Sequence, residues 1–210
     1  QPDLGTSLSI LILGVFILFL AGIRLWKFLL GFTVIIISIP LFLRFIKPYQ
    51  RDRVISFLDP ESDPLGQGYQ LIQSKIALGS GGGTGKGFLQ GTQSYLEYLP
   101  EKQTDFIFTL IGEEFGFLGT IFIIFLFILL IGVCYFISIK CFHVFGRIIA
   151  LGVASNIFIY VFMNIAMVSG LMPVVGIPLP LISYGGSVML SIMISIGLVL
   201  NVELNYNLKK

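Results

Sequence analysis

Residues Phe115–Ile139, FGFLGTIFIIFLFILLIGVCYFISI, run without a single charge. As a helix this stretch is roughly 37 Å long at 1.5 Å per residue, against a hydrocarbon core of about 30 Å, so it can cross a bilayer with tilt to spare. Beyond it, no charge appears between Arg147 and Glu203. That run is too long for one helix, and Pro173-Val174-Val175-Gly176-Ile177-Pro178-Leu179-Pro180 interrupts it. Proline lacks an amide hydrogen and clashes with the preceding turn, so the run divides into spans near Ile148–Ser169 and Ser187–Val202. Upstream, Leu4–Ile23 supplies another span. Phe28–Leu43 supplies one more, short but flanked by Lys27 and Arg44, which can snorkel. The expectation is an all-α polytopic membrane protein with five transmembrane helices: two within 1–46 and three within 106–210, with a Pro-rich external re-entry at 170–186. Residues 47–105 form one long external loop with short amphipathic helices and a Gly-rich hinge.

Composition agrees. Of 210 residues, 56% are hydrophobic and 11% charged, against about 25% charged in soluble domains, and the mean hydropathy is +0.96. A soluble domain of this size leaves roughly a third of its chain surface exposed and could not hide so much apolar area. A cytosolic enzyme, a nucleic-acid binder and a disordered tail are thereby excluded. The net charge of +2 points to no acidic or basic partner, and two cysteines, Cys134 and Cys141, make neither a disulfide framework nor a metal motif. With Gln1 first and no basic n-region before the apolar stretch, there is no signal-peptide pattern. The sequence reads as a piece of something longer.

Orientation follows from the short connections. With Gln1 outside, the inside pieces hold Arg24, Lys27, Lys140, Arg147, Lys209 and Lys210, while 1–5 and 170–186 hold no Lys or Arg. That is a positive-inside pattern, with Trp26 as an inner-interface anchor. The long connection then faces outside.

Chemistry is to be sought in that connection. Asp59-Pro60-Glu61-Ser62-Asp63-Pro64 reads as a turn. Gly68–Leu78 reads as a short amphipathic helix, offering Leu71, Ile72, Ala77 and Leu78 to a membrane surface or a protein face. Gly79-Ser80-Gly81-Gly82-Gly83-Thr84-Gly85-Lys86-Gly87 invites a phosphate-loop reading, which fails: Ser80 stands where the first glycine is needed, and Gly87 where Ser or Thr must follow the lysine. A hinge whose backbone can approach another surface closely is the better reading.

Polar residues stop at Asp105, where a helix begins. Asp105 is either the N-cap of that helix or a carboxylate held at the outer membrane surface where a lipid-linked head group would sit; the two are compatible. Glu113 and Glu114 follow among Gly112, Gly116 and Gly119, and adjacent acids at the mouth of an apolar span must face protein or water. On a continuous helix Glu113 lies within about 80° of Asp105 and Glu114 opposite it. Structural anchoring and, for Glu113, substrate contact are the two readings; the glycines let neighbouring helices approach. Asn156, Tyr160 and Asn164 recur every four residues, as do Ser187, Ser191 and Ser195. Each set is one helix face, suited to interhelical hydrogen bonds or to a substrate lining.

Several stretches together resemble the SEDS family (shape, elongation, division and sporulation proteins): Gln1–Ser7, Asp59–Gly83, Leu99–Phe108, Gly112-Glu113-Glu114 and Met167–Ser187. The resemblance runs the length of the chain in order and leans to the elongation branch over the division branch, through Pro64–Tyr69, Lys75–Ala77 and Val175. It implies the C-terminal half of a roughly ten-span bundle. It also implies a peptidoglycan glycosyltransferase of the bacterial plasma membrane that polymerises lipid II, with a class B penicillin-binding protein as partner. The family's essential external aspartate falls on Asp105. Gln103 departs from the family pattern, which usually carries His there, so no imidazole is present to share the proton.

What the resemblance implies chemically is attack of an acceptor sugar 4-hydroxyl on the anomeric carbon of a donor whose leaving group is polyprenyl pyrophosphate. Asp105 would act as base or hold a divalent cation, Mg or Mn. Lys86 and Lys102 are the local cations that can meet pyrophosphate charge, with solvated surface lysine as the alternative. Rival functions are a lipid II flippase and a non-catalytic scaffold of wall synthesis. A flippase needs a polar path across the bilayer, and these spans offer hydroxyls and amides but no charge.

Overall fold

The computed structural model describes residues 4–43, 48–63, 66–95 and 103–207. Among them every regular element is helical: α1 Leu4–Leu20, α2 Leu25–Leu43, α3 Pro48–Leu58, a 3-10 turn Pro60–Ser62, α4 Gln67–Ser80, α5 Thr92–Tyr95, α6 Ile107–Lys140, α7 Val144–Val168 and α8 Gly186–Asn207. Three of these, α6, α7 and α8, are long and apolar enough to cross a membrane. The helices at Gly5–Leu20 and Leu25–Ser38 are apolar but shorter. The chain is a multi-pass membrane protein.

Helix α7 is the centre, touching α1, α4, α6 and α8. Its buried residues cover most of its circumference, Ala150, Ile157, Ile159, Met163 and Ala166 among them, with Phe158 and Phe162 left facing outward. A helix apolar on every side is one surrounded by protein or lipid. Here α7 has protein over most of its surface, whereas α6 and α8 present Phe117, Leu118, Phe125, Leu190 and Ile194 outward. Gly170, at φ +74°, ends α7: the Leu171 amide reaches back to the Ala166 carbonyl and the Gly170 amide to Met167. This left-handed C-cap needs a residue without Cβ.

The Pro-rich stretch that follows α7 folds back into the core. Val174, Val175, Ile177 and Leu179 are all buried, Ile177 completely. Irregular backbone inside a membrane protein is tolerated only where its polar groups find partners. Side chains provide them: Asn164 bonds the Ile177 carbonyl at 2.6 Å and Ser183 Oγ accepts the Leu179 amide at 2.7 Å.

Helix α4 packs one side on protein, one of the two surfaces its sequence offered. Leu71 and Ala77 are buried, and Ser74 Oγ donates to the Val168 carbonyl at 2.6 Å with Thr109 Oγ1 at 3.2 Å. This segment is thus docked across α6 and α7.

Helix α6 is broken at Gly116, whose φ of 66° and ψ of −160° are non-helical. In a regular helix the amides of residues 117 and 118 would donate to the carbonyls of 113 and 114. Instead Phe117 and Leu118 donate to Gly82 and Gly83 at 2.9 and 3.1 Å, while Lys86 and Gly87 donate to Glu113 and Glu114, both at 3.0 Å. Two ladder bonds are replaced by four that run through the glycine loop. The approach is so close that a Cβ on Gly85 would overlap the Glu114 carbonyl, and one on Gly116 the Gly85 amide. The expected close-approach role of the glycines is present, but the loop is bonded to α6 from both sides.

Candidate active site

The turn 103–106 precedes α6 and carries Asp105. The N-cap position belongs to Phe106, whose side chain is buried and makes no cap bond, so Asp105 stands one residue outside the position its sequence suggested. The helical-wheel relation drawn between Asp105 and Glu113 therefore does not apply. Three bonds hold this turn against the Pro-rich segment and α7. The Tyr184 amide donates to the Gln103 carbonyl at 2.9 Å. Ser183 Oγ donates to the Thr104 carbonyl at 2.6 Å. Asn164 Nδ2 donates to the Asp105 carbonyl at 2.8 Å. The half-buried Asp105 side chain lies beside Gly176: a Cβ built there would stand 3.2 Å from Asp105 Oδ2. Leu181, at φ 64°, takes the left-handed conformation within the same segment, a strain of about 1–3 kcal/mol that surrounding contacts must hold.

Next to this turn opens a cleft of about 480 Å³, lined by Gln103, Ile107, Ile182, Tyr184 and Met189. It is largely apolar with a few polar groups at its edge, the character of a site for an amphipathic ligand. Among the described residues no three His, Cys, Asp or Glu side chains gather to hold a metal. Among the described residues Asp105 thus belongs to no cluster of that kind. One carboxylate fits an ion that keeps its waters and is otherwise held by substrate phosphates, as Mg²⁺ is.

Lys86 and Glu113 come together in a cluster of their own. Lys86 Nζ donates to Glu113 Oε1 at 2.8 Å and to Thr92 Oγ1 at 2.8 Å. The Thr92 hydroxyl and the Gln93 amide also donate to Glu113 Oε1, at 3.2 and 3.0 Å. The Glu113 side chain is 1% exposed and that of Lys86 27%. A carboxylate so buried needs a counter-charge and donors together, and the glycine loop with α5 brings both. Removing one partner should expose the asymmetry. Lys86→Met, which leaves the buried carboxylate uncompensated, is expected to destabilise by about 3–5 kcal/mol. Glu113→Gln, which leaves a neutral acceptor, is expected to cost only about 1–3 kcal/mol. Thermal midpoints of the two variants in detergent measure the order, and the reverse order would contradict the pair's assignment. Lys102 lies outside the described residues.

The two periodic polar faces meet as well. Asn156 and Tyr160 of α7 and Ser187 and Ser191 of α8 line a cavity of about 140 Å³. Ser191 and Ser195 donate back to the carbonyls of Ser187 and Ser191 within α8, both at 2.8 Å, in place of the interhelical bonds expected of them. Asn164 leaves its set to serve the Asp105 turn. Ser183, whose hydroxyl ties that turn to Leu179, was legible only as one residue of the Met167–Ser187 stretch, with nothing to mark it as a tether.

An all-helical multi-pass membrane protein with a carboxylate turn clamped against a buried Pro-rich segment is the class that these features define. The chain belongs to the FtsW/RodA/SpoVE family of cell cycle proteins, whose pattern it matches over residues 1–208. It is 51% identical over 206 residues to the peptidoglycan glycosyltransferase MrdB of Escherichia coli (strain K12), covering 97% of this chain and 55% of that protein. It is 42% identical over 203 residues to a probable peptidoglycan glycosyltransferase FtsW of Trichlorobacter lovleyi, covering 97% and 53%. A chain in a solved peptidoglycan synthase complex, described for its coordination of polymerization and crosslinking, superimposes with a TM-score of 0.79 at 35% identity. That match covers 98% of this chain and 57% of the other. The chain spans about half the length of the curated relatives it matches.

Proposed function

We propose that this chain carries the catalytic carboxylate of a peptidoglycan glycosyltransferase that polymerises lipid II at the outer face of the bacterial plasma membrane. The observation that supports it most is the Asp105 turn: a carboxylate beside Gly176, with its backbone bonded in place, next to a cleft at the end of an apolar bundle. The names of the relatives supply the reaction class. The higher identity to MrdB than to FtsW leans the same way as the elongation-branch features of the sequence.

In this reading the acceptor sugar's 4-hydroxyl attacks the donor's anomeric carbon. The bond to polyprenyl pyrophosphate breaks, and the hydroxyl proton passes to the Asp105 carboxylate. A positioned base of this kind contributes about 10²–10⁴-fold. Lys86 and Lys102 are the proposed counter-charges for pyrophosphate; two of the three ammonium hydrogens of Lys86 are already engaged by Glu113 and Thr92. In the alternative to the base role, Asp105 would hold a divalent cation, Mg or Mn, which would supply positive charge against the pyrophosphate. A class B penicillin-binding protein is the proposed partner, a reading supported by the cross-linking half of the matched synthase complex.

The deciding experiment supplies purified lipid II to the full-length protein in vesicles and follows glycan polymer and lipid translocation separately. Polymer formation is expected. Translocation without polymer would make the protein a flippase, and neither activity would make it a scaffold.

The proposed topology has five spans, α1 and α2 included, with residues 47–105 outside and the C-terminus inside. With Cys134 and Cys141 replaced, Ser80→Cys is expected to react with an impermeant thiol reagent added to intact cells; Ser80 is exposed, at the end of α4. Labelling only after permeabilisation would reverse the topology, and the active-site reading would go with it.

A further inference from the structure

Asn164 is fully buried in the core of α7, yet neither of its amide hydrogens serves another helix. One goes to the Asp105 carbonyl at 2.8 Å, the other to the Ile177 carbonyl at 2.6 Å. Both neighbours are acceptors, so the amide has one permitted orientation, with NH₂ toward them. Its Oδ1 is buried without a partner among the described residues. The side chain is therefore placed as a two-pronged donor, joining two segments that are far apart in sequence.

The consequence for Asp105 is geometric. Ile177 follows Gly176, the residue beside Asp105 Oδ2. One amide thus fixes the backbone behind the carboxylate and the backbone next to the residue the carboxylate faces. The other two ties, from Ser183 and the Tyr184 amide, hold Thr104 and Gln103 but not Asp105 itself.

We propose that Asn164 is a positioning residue for Asp105, holding the carboxylate against the Pro-rich segment at the distance the reaction requires. The proposal rests on the reading of Asp105 as the catalytic carboxylate. Loss of such a tether misplaces a reacting group by about an ångström, which costs on the order of tenfold to a hundredfold in rate.

The test uses the full-length protein in membranes, with two variants. Asn164→Asp keeps the shape but turns a carboxylate on two carbonyl oxygens, and Asn164→Ala removes the group without adding charge. Polymerisation of lipid II is expected to fall about tenfold to a hundredfold in kcat, with KM within about threefold. In an Asp105→Asn background Asn164→Ala is expected to cost nothing more, which a general loss of stability would not reproduce. A second readout is independent of activity. In protein lacking Cys134 and Cys141, an Asp105→Cys/Gly176→Cys pair reports the turn's distance from the Pro-rich segment by oxidative cross-linking, and Asn164→Ala is expected to abolish the fast cross-link. An unchanged cross-link, or an unchanged kcat where Asp105→Asn is inactive, overturns the proposal. A lost cross-link with Asp105→Asn fully active would instead overturn the catalytic reading of Asp105 and leave Asn164 as the holder of the turn.

Discussion

Asp105→Asn in the full-length protein is expected to lower glycan polymerisation from lipid II by at least about a hundredfold, the low end of what a positioned general base contributes, while membrane expression and partner binding stay intact. The separation of effects comes from where Asp105 is held. The bond from α7 goes to its backbone carbonyl, which the substitution leaves alone. The Asn side chain is isosteric, so the turn and its contact with Gly176 need not move. It cannot take up a proton usefully, and it is a weaker ligand for a hard cation. Quantifying polymer alongside the amount of folded protein checks both halves. Normal polymerisation by the Asn variant would leave Asp105 a structural residue and move the chemistry elsewhere.

Gly116→Ala is expected to be the most damaging single substitution in α6. An alanine there must adopt a backbone conformation open in practice only to glycine, at about 1–3 kcal/mol. Its methyl would also overlap the Gly85 amide, which adds about 1–3 kcal/mol of overpacking. A total of about 2–6 kcal/mol is a large share of the 5–15 kcal/mol that hold a typical protein folded. The expected result is little recoverable protein, and a sharply lowered thermal midpoint for what remains. Gly132→Ala is the control in the same helix, since nothing lies within 4 Å of a Cβ there. It is expected to be neutral or slightly stabilising, as alanine is the better helix former. Equal behaviour of the two variants would mean that the break at Gly116 does not form.

The contrast between these glycines shows how much the residues alone could tell. The apolar runs were legible because a bilayer demands length and absence of charge, and both are written locally in the chain; α6, α7 and α8 follow them closely. Asp105 was legible as the end of the polar segment, but not its exact place relative to the cap, because Phe106 wins that position by burying its ring. The glycine loop showed that something must approach closely. What approaches is the interior of a helix some thirty residues downstream, a tertiary fact that no local period encodes. For the same reason nothing paired Lys86, read with Lys102 as a cation for pyrophosphate, with Glu113, read with Glu114 as an anchor or substrate contact. Asn164 was grouped with Asn156 and Tyr160 by its period, which identifies a face but not whether a neighbouring helix or a returning loop will meet it.

Surface loops ordinarily absorb added or deleted residues with little penalty. The stretch 81–87 cannot behave that way, because its carbonyls at 82 and 83 and its amides at 86 and 87 are matched one for one to positions in α6. The register between them is as fixed as that of paired strands. A single residue inserted into either partner shifts every bond by one place, so the loop has the indel intolerance of a core helix. A compensating change of length in one segment cannot rescue the other, for the loop must supply two acceptors and then two donors at the spacing that one helical break requires.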